Sequence, residues 1–211
     1  GNAVRPLLLD VSRINDWVGE KILFSPRRLA REDPITERTA RLPSYFVSRE
    51  LPVLTNPSAW RLQVGGLVRT PLSLSVDDLQ AMPRASYTVK HHCVEGWSAI
   101  ATWHGVPVSA IAERCELLPQ ARYVRFDSFD SAYYNGWDMA SAMHPQTILA
   151  YDMNGKPVPV ANGAPLRLRV ENQLGYKHAK YLRALEFFAS FEQIEKGNGV
   201  YWEDLGYEWY A

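Results

Sequence analysis

The sequence predicts one α+β domain with mixed β-sheets and a few helices, and three observations carry that expectation. Short runs of alternating apolar and polar residues recur along the chain, which is the signature of half-buried strands. Only a few stretches show helical spacing, and Gly, Pro and Asn turns separate the rest. At 211 residues the chain can bury one sizeable core but not two generous ones.

Taken in order, Leu8, Ile14, Trp17, Val18 and Ile22 fall at mostly helical spacing and predict a short amphipathic helix within residues 7–23. Residues 25–44 are charged and broken by Pro26, Pro34 and Pro43, so they read as an extended surface arm. The expected organisation is therefore an N-terminal helix and arm over 1–43, packed on a domain spanning 44–211. Trp60, Leu62 and Val64 alternate with Arg61 and Gln63 as a strand ending at Gly65 and Gly66. Leu72 and Leu74 alternate likewise. Ser75 then caps a helix running to about Met82, with Asp77 and Asp78 suited to its positive end. Residues 86–94 predict a strand, 103–107 a turn, and Pro107 the first turn of a helix reaching Leu118. Further strands are expected over 122–129, 146–152, 157–160, 166–172 and 181–191. From Gly197 the tail is rich in Gly and aromatics.

Composition narrows the function. Lys plus Arg and Asp plus Glu both number 23, a balance that argues against nucleic-acid binding, which needs a basic surplus. Aromatic residues make up 12% and supply surface for stacking on a flat organic group. No apolar run approaches the roughly 18–20 residues that span a bilayer. No leader pattern opens the sequence, and a start at Gly1 fits either an expression scar or a processed terminus.

Two cysteines cannot build a disulfide framework. Val108, Ile111, Ala112, Cys115 and Leu118 share a helical face, so Cys115 reads as core. Cys93 stands differently, at a strand end followed by Gly96, which can let another group approach the backbone. Strand alternation puts His91 on the same face as Cys93 and His92 on the other, so the three are a poor chelate for one metal. No Cys-x-x-Cys or His-Glu-x-x-His spacing supports structural zinc. A thiolate is the donor favoured by soft, sulfur-rich metal centres, while the plain alternative is a small buried apolar side chain.

The runs Cys93–Ser98 (CVEGWS), Trp103–Pro107 (WHGVP), Ala161–Arg167 (ANGAPLR) and Leu174–Leu182 (LGYKHAKYL) resemble, in that order, the molybdenum-cofactor domain of the sulfite oxidase family. Tyr45–Pro52 (YFVSRELP) is similar to the Phe-rich segment that precedes it. That family includes a periplasmic branch that reduces methionine sulfoxide. The resemblance implies a molybdopterin cofactor whose molybdenum takes Cys93 as its protein thiolate, and two-electron chemistry on a small substrate. It implies cofactor contacts from Phe46, Ser48, Arg49, Ser128, Asn162, Arg167, His178, Ala179 and Lys180. The Arg167 alternative is a solvated strand residue, since Leu166, Leu168 and Val170 alternate with Arg167 and Arg169. Tyr133 or Tyr134, within the pocket segment 127–137, and His91 are the expected catalytic side chains near substrate. His144, before Pro145, reads as a turn residue.

The match departs in two places. The chain has no room for the immunoglobulin-like domain of animal and plant sulfite oxidases, so it resembles the compact bacterial type and is expected to be monomeric. Ser48, Arg49 and Glu50 stand where the family carries Arg-Asn-His, which removes an arginine that sulfite needs. A small neutral or zwitterionic S- or N-oxide is the expected substrate, with sulfite the alternative. No haem-attachment motif is present, so electrons are expected to come from a separate haem-bearing membrane protein or a cytochrome. A periplasmic or exported location, after removal of a signal or anchor, goes with that branch. A non-catalytic cofactor-binding domain of the same fold is the remaining alternative.

Overall fold

A computed structural model describes residues 29–45, 48–93, 95–130, 133–194, 196–197, 200–207 and 209, with scattered positions between 11 and 22. Most of the helix expected within 7–23 lies outside the described residues, although Ile14 and Trp17 carry helical backbone and are exposed. Among the described residues ten strands form two five-stranded sheets, most of them foretold by the alternating runs. In the first, β1 (Leu62–Gly66) is flanked by antiparallel β2 (Leu72–Leu74) and parallel β10 (Leu182–Phe188). Antiparallel β5 (Tyr123–Ser128) and β6 (Tyr134–Asp138) complete it beyond β10.

The second sheet is antiparallel throughout. Its long hairpin joins β3 (Ala85–His92) to β4 (Ser98–Pro107). β4 pairs with β7 (Thr147–Met153), whose other edge takes both β8 (Lys156–Pro157) and β9 (Arg167–Val170). Among the described residues from 29 onward, three short helices, α1 (Val76–Gln80), α2 (Val108–Arg114) and α3 (Met139–Ala142), fill the connections. The α1 start is a capping box in which Ser75 and Asp78 each bond the other's backbone N–H.

The expected turn at 103–107 is corrected: these residues finish β4. Gly105 reads as a turn signal, but here it lets β7 come close, since a Cβ would lie 2.2 Å from the Leu149 carbonyl oxygen. The pairing slips at that point, between His104 and Gly105. Residues 157–160 are likewise not a strand beyond Pro157, because Val160–Asn162 close a 3-10 turn. β6 is a strand that the alternation does not announce, and it falls inside the pocket segment 127–137.

The second sheet is buried on both faces. Leu149, Leu168 and Val170 join the main core with Val64, Phe126, Trp137 and Leu185. On the opposite face Tyr87, Val89, Trp103, Ile148 and Ala150 form a smaller core together with Leu42 from the arm. The arm is tied down by backbone bonds from Asp33 to Thr88 and from Thr39 to Ile100, both donated by the arm. His91, Arg167 and Arg169 stand in register with the smaller core, and this face carries the candidate site.

Candidate functional site

Cys93 follows β3 directly and opens the turn into β4. Its N–H donates to the Trp97 carbonyl and its own carbonyl accepts from Gly96, each at 3.0 Å. Gly96 adopts φ 89°, a conformation L side chains rarely take, and nothing lies within 4 Å of where its Cβ would be. The glycine serves the turn, and the space beside its Cα is open. Glu95 accepts from the Trp97 indole at 3.0 Å and lies 3.8 Å from Cys93 Sγ. Both cysteines are free thiols, and Cys115 is fully buried, as its helical face predicts.

Cys93 lines a cavity of about 250 Å³ between the smaller-core face, arm residues 42–45, the loop 175–180 and the tail. Its charged and imidazole lining comprises His91, Arg167, His178 and Lys180, with Asp130 and Glu95 supplying the opposite sign. Tyr45, Trp97, Tyr133, Tyr176 and Trp202 provide aromatic walls. Among the described residues no three His, Cys, Asp or Glu side chains cluster to hold a metal ion by themselves.

The two β9 arginines lie beneath this cavity. Arg169 is wholly buried and forks onto Glu171 through two bonds of 2.7 Å. Its third arm donates to His91 Nδ1 at 2.8 Å, so the His91 proton sits on Nε2. Burial, then Arg169, hold His91 far below the usual imidazole range, at about 2. Both guanidinium groups lie over the Trp103 ring, at 4.8 Å for Arg167 and 4.6 Å for Arg169. Burial, then Arg169, lower Arg167 to about 9, and it remains a cation at neutral pH. One Arg167 arm donates to the Asn162 carbonyl at 2.9 Å, while its buried Nε has no partner.

His178 is also held neutral, by burial first and then by Arg169 and His91. Its Nε2 lies 3.1 Å from the Gln173 carbonyl and donates to it, leaving Nδ1 a buried acceptor without a partner. Lys180 donates to the Tyr45 carbonyl, and burial followed by Arg167 brings its ammonium down to about 7 against the pull of Asp130.

Not every expected residue reaches the cavity. Tyr133 does, whereas Tyr134 is turned away: its hydroxyl donates to Asp204 at 2.9 Å and Arg125 covers its ring. Ser128 acts one step back, accepting from the Asp130 N–H at 2.9 Å. The Ser48 N–H also bonds Asp130, at 2.9 Å. Arg49 is exposed and lines no part of the cavity, and Ala179 is core, its carbonyl accepting from Leu168. Asn162 lines the cavity, and Phe46 lies outside the described residues. Asp130, Tyr176 and Trp202 line it as well; Tyr176 falls within the run 174–182, though not as a named site residue, and no motif covers the other two. The signals that could have found them are weak ones: Asp130 falls within segment 127–137, and Trp202 within the aromatic tail.

The class of protein to which this fold and cavity belong is the molybdopterin-binding oxidoreductases. The family model described as the oxidoreductase molybdopterin binding domain matches residues 49–194, and the chain belongs to that family. It is 38% identical over 211 residues to a putative protein-methionine-sulfoxide reductase subunit YedZ1 of Azospira oryzae, covering 99% of this chain and 77% of the relative. It is 35% identical over 163 residues to the protein-methionine-sulfoxide reductase catalytic subunit MsrP of Xanthomonas axonopodis, covering 70% of this chain. The chain spans 49% of the length of that relative. Among solved structures, the sulfane dehydrogenase SoxCD from Paracoccus pantotrophus shares the fold, with a TM-score of 0.61 and 22% identity. That likeness covers 67% of this chain and 42% of the other.

Proposed function

We propose that this domain binds molybdenum–molybdopterin in the Cys93 cavity and reduces a small S-oxide of the methionine sulfoxide type. The observation that carries the reading is that Cys93 shares one cavity with an orphan buried donor, Arg167 Nε, and an orphan buried acceptor, His178 Nδ1. Buried polar groups are ordinarily satisfied, and a pterin offers both ring N–H donors and carbonyl and phosphate acceptors. Arg167, His178, Lys180 and Asn162 would hold the pterin and its phosphate, and Cys93 would give the metal its soft protein donor. When bound, the group supplies the two-electron redox chemistry at an oxygen-transferring metal.

The chain's own part is to orient substrate and manage protons. The reaction breaks one S–O bond and leaves an electron pair on sulfur. The oxygen departs as water after taking two protons and two electrons. Tyr133, which lines the cavity, would donate to that oxygen; burial first of all pushes its pKa up, so it stays protonated. Asp130 and Glu95 add negative charge that suits a zwitterion better than doubly charged sulfite. The names of the relatives, which speak of a reductase subunit and a catalytic subunit, favour both the substrate and a separate electron donor. That donor is a haem protein, and the domain works in the periplasm. Among the described residues no helix is long and apolar enough to cross a membrane.

The test is expression with added molybdate in a cofactor-making host, followed by metal analysis, a reduced-viologen assay for sulfoxide reduction and a ferricyanide assay for sulfite oxidation. Near one molybdenum per chain and faster turnover of methionine sulfoxide than of sulfite are expected; the reverse preference would overturn the substrate reading. Arg167→Ala should lower molybdenum content several-fold while leaving turnover per bound molybdenum nearly unchanged.

Lys180 gives a pH signature. Its folded pKa, about 7, lies below the ordinary lysine value, so its charge is present below pH 7 and lost as pH rises through it. Sulfate, whose own charge is constant over this range, should bind the cofactor-free protein about tenfold more tightly at pH 6 than at pH 8.5. Titration calorimetry at the two pH values measures it.

A further inference from the structure

We propose that Trp202, carried by the C-terminal tail, is a positioning residue that keeps the Tyr133 hydroxyl poised as a donor to the substrate oxygen. The inference rests on the reductase reading above.

Three polar atoms meet at the cavity wall. The Trp202 indole nitrogen lies 3.1 Å from Tyr133 Oη and 3.2 Å from the Tyr176 carbonyl oxygen. Tyr133 Oη is itself 3.2 Å from the same carbonyl, and Asn135 Nδ2 approaches it at 3.5 Å. An indole N–H and an amide NH₂ can only donate, so both meet the lone pairs of the phenol oxygen. The phenol proton must then go to an acceptor. At rest that acceptor is the Tyr176 carbonyl; with substrate bound it is the oxygen to be removed.

The exchange strands no buried group. When the Tyr133 proton turns to substrate, the Tyr176 carbonyl keeps the indole N–H within reach, and the phenol oxygen keeps its donors. Hydrogen bonds donated into the phenol oxygen also favour negative charge there, which strengthens its O–H as a donor.

The tail is fastened where this requires it. Lys177 Nζ donates to Glu203 at 3.0 Å and also to the Trp209 carbonyl. The Trp209 indole donates to Asp138 at 3.0 Å, and Asp204 accepts from Tyr134 at 2.9 Å. These anchors lie on β6 and next to Tyr176, the two elements that hold the phenol and the shared carbonyl.

The experiment is a double-mutant cycle on the molybdenum-loaded protein, reading kcat and KM separately with methionine sulfoxide. Trp202→Phe should lower kcat about tenfold, the equivalent of one lost hydrogen bond, with KM and molybdenum content little changed. Trp202→His, which retains a ring N–H, should recover most of that loss. In a Tyr133→Phe background Trp202→Phe should have no further effect. Independent, multiplying effects would overturn the role of Trp202 and leave the reductase reading standing. A Tyr133→Phe enzyme as fast as wild type would remove the Tyr133 step and this inference with it. Failure of the wild type to reduce any sulfoxide would reject the function itself.

Discussion

Cys93→Ser is expected to abolish turnover, by more than about a thousandfold, and to leave the fold intact. Changing groups that merely support metal ligands costs roughly 10–100-fold, and here the soft donor itself is exchanged for a hard hydroxyl. The structural cost is small because the turn does not depend on the thiol. Its two closing bonds are made by the backbone of Cys93, Gly96 and Trp97, and its strained position belongs to Gly96. The Cys93 side chain is half-buried and its hydrogen-bonding contact is a long one, 3.8 Å to Glu95. A stability change within about 0.5 kcal/mol is therefore expected. Circular dichroism and a thermal melt check the fold, and the dye-linked assay checks turnover. Full activity in this variant would remove the thiolate from the mechanism.

Strand periodicity alone makes the placement of Cys93 and His91 legible. Alternation along β3 puts them on one face and His92 on the other, and the cavity is lined by the first two and not the third. Cys115 is equally readable from its helix face. What alternation cannot tell is what covers a face. Leu168 and Val170 do point into the main core while Arg167 and Arg169 point the other way, yet all four are buried. The opposite face of β9 meets the Trp103 ring and the cavity, not water. A solvated reading of these arginines follows from periodicity alone and fails because the sheet is covered twice.

Local sequence is also silent on long-range assembly. Nothing in a Tyr-Tyr pair says which ring faces the site; β6 begins at Tyr134, and it is Tyr133, just before it, that lines the cavity. Trp202 reaches that hydroxyl from 69 residues away. Gly105 shows the reverse error, since its chemistry suits a turn although what uses its missing side chain is the approach of β7.

Arg169→Met separates the two readings of β9 by size of effect. Were Arg169 solvated, the change would cost less than about 0.5 kcal/mol. In the structure it is fully buried, and the side chain of its partner Glu171 is only 3% exposed. Methionine fills much of the volume but leaves the Glu171 carboxylate buried without its fork, and breaking such a pair typically costs about 3–5 kcal/mol. His91 Nδ1 also loses its donor. For a protein of this size the unfolding midpoint should fall by about 6 °C or more, measured by calorimetry on the cofactor-free protein. Arg169→Met combined with Glu171→Met should recover most of the loss, because no buried charge is then left alone. A single variant as stable as wild type would mean that water reaches the pair and that the floor of the cavity is open. Full recovery of stability without recovery of turnover in the double variant would instead assign Arg169 a second task, holding His91 in one tautomer through the bond to its Nδ1.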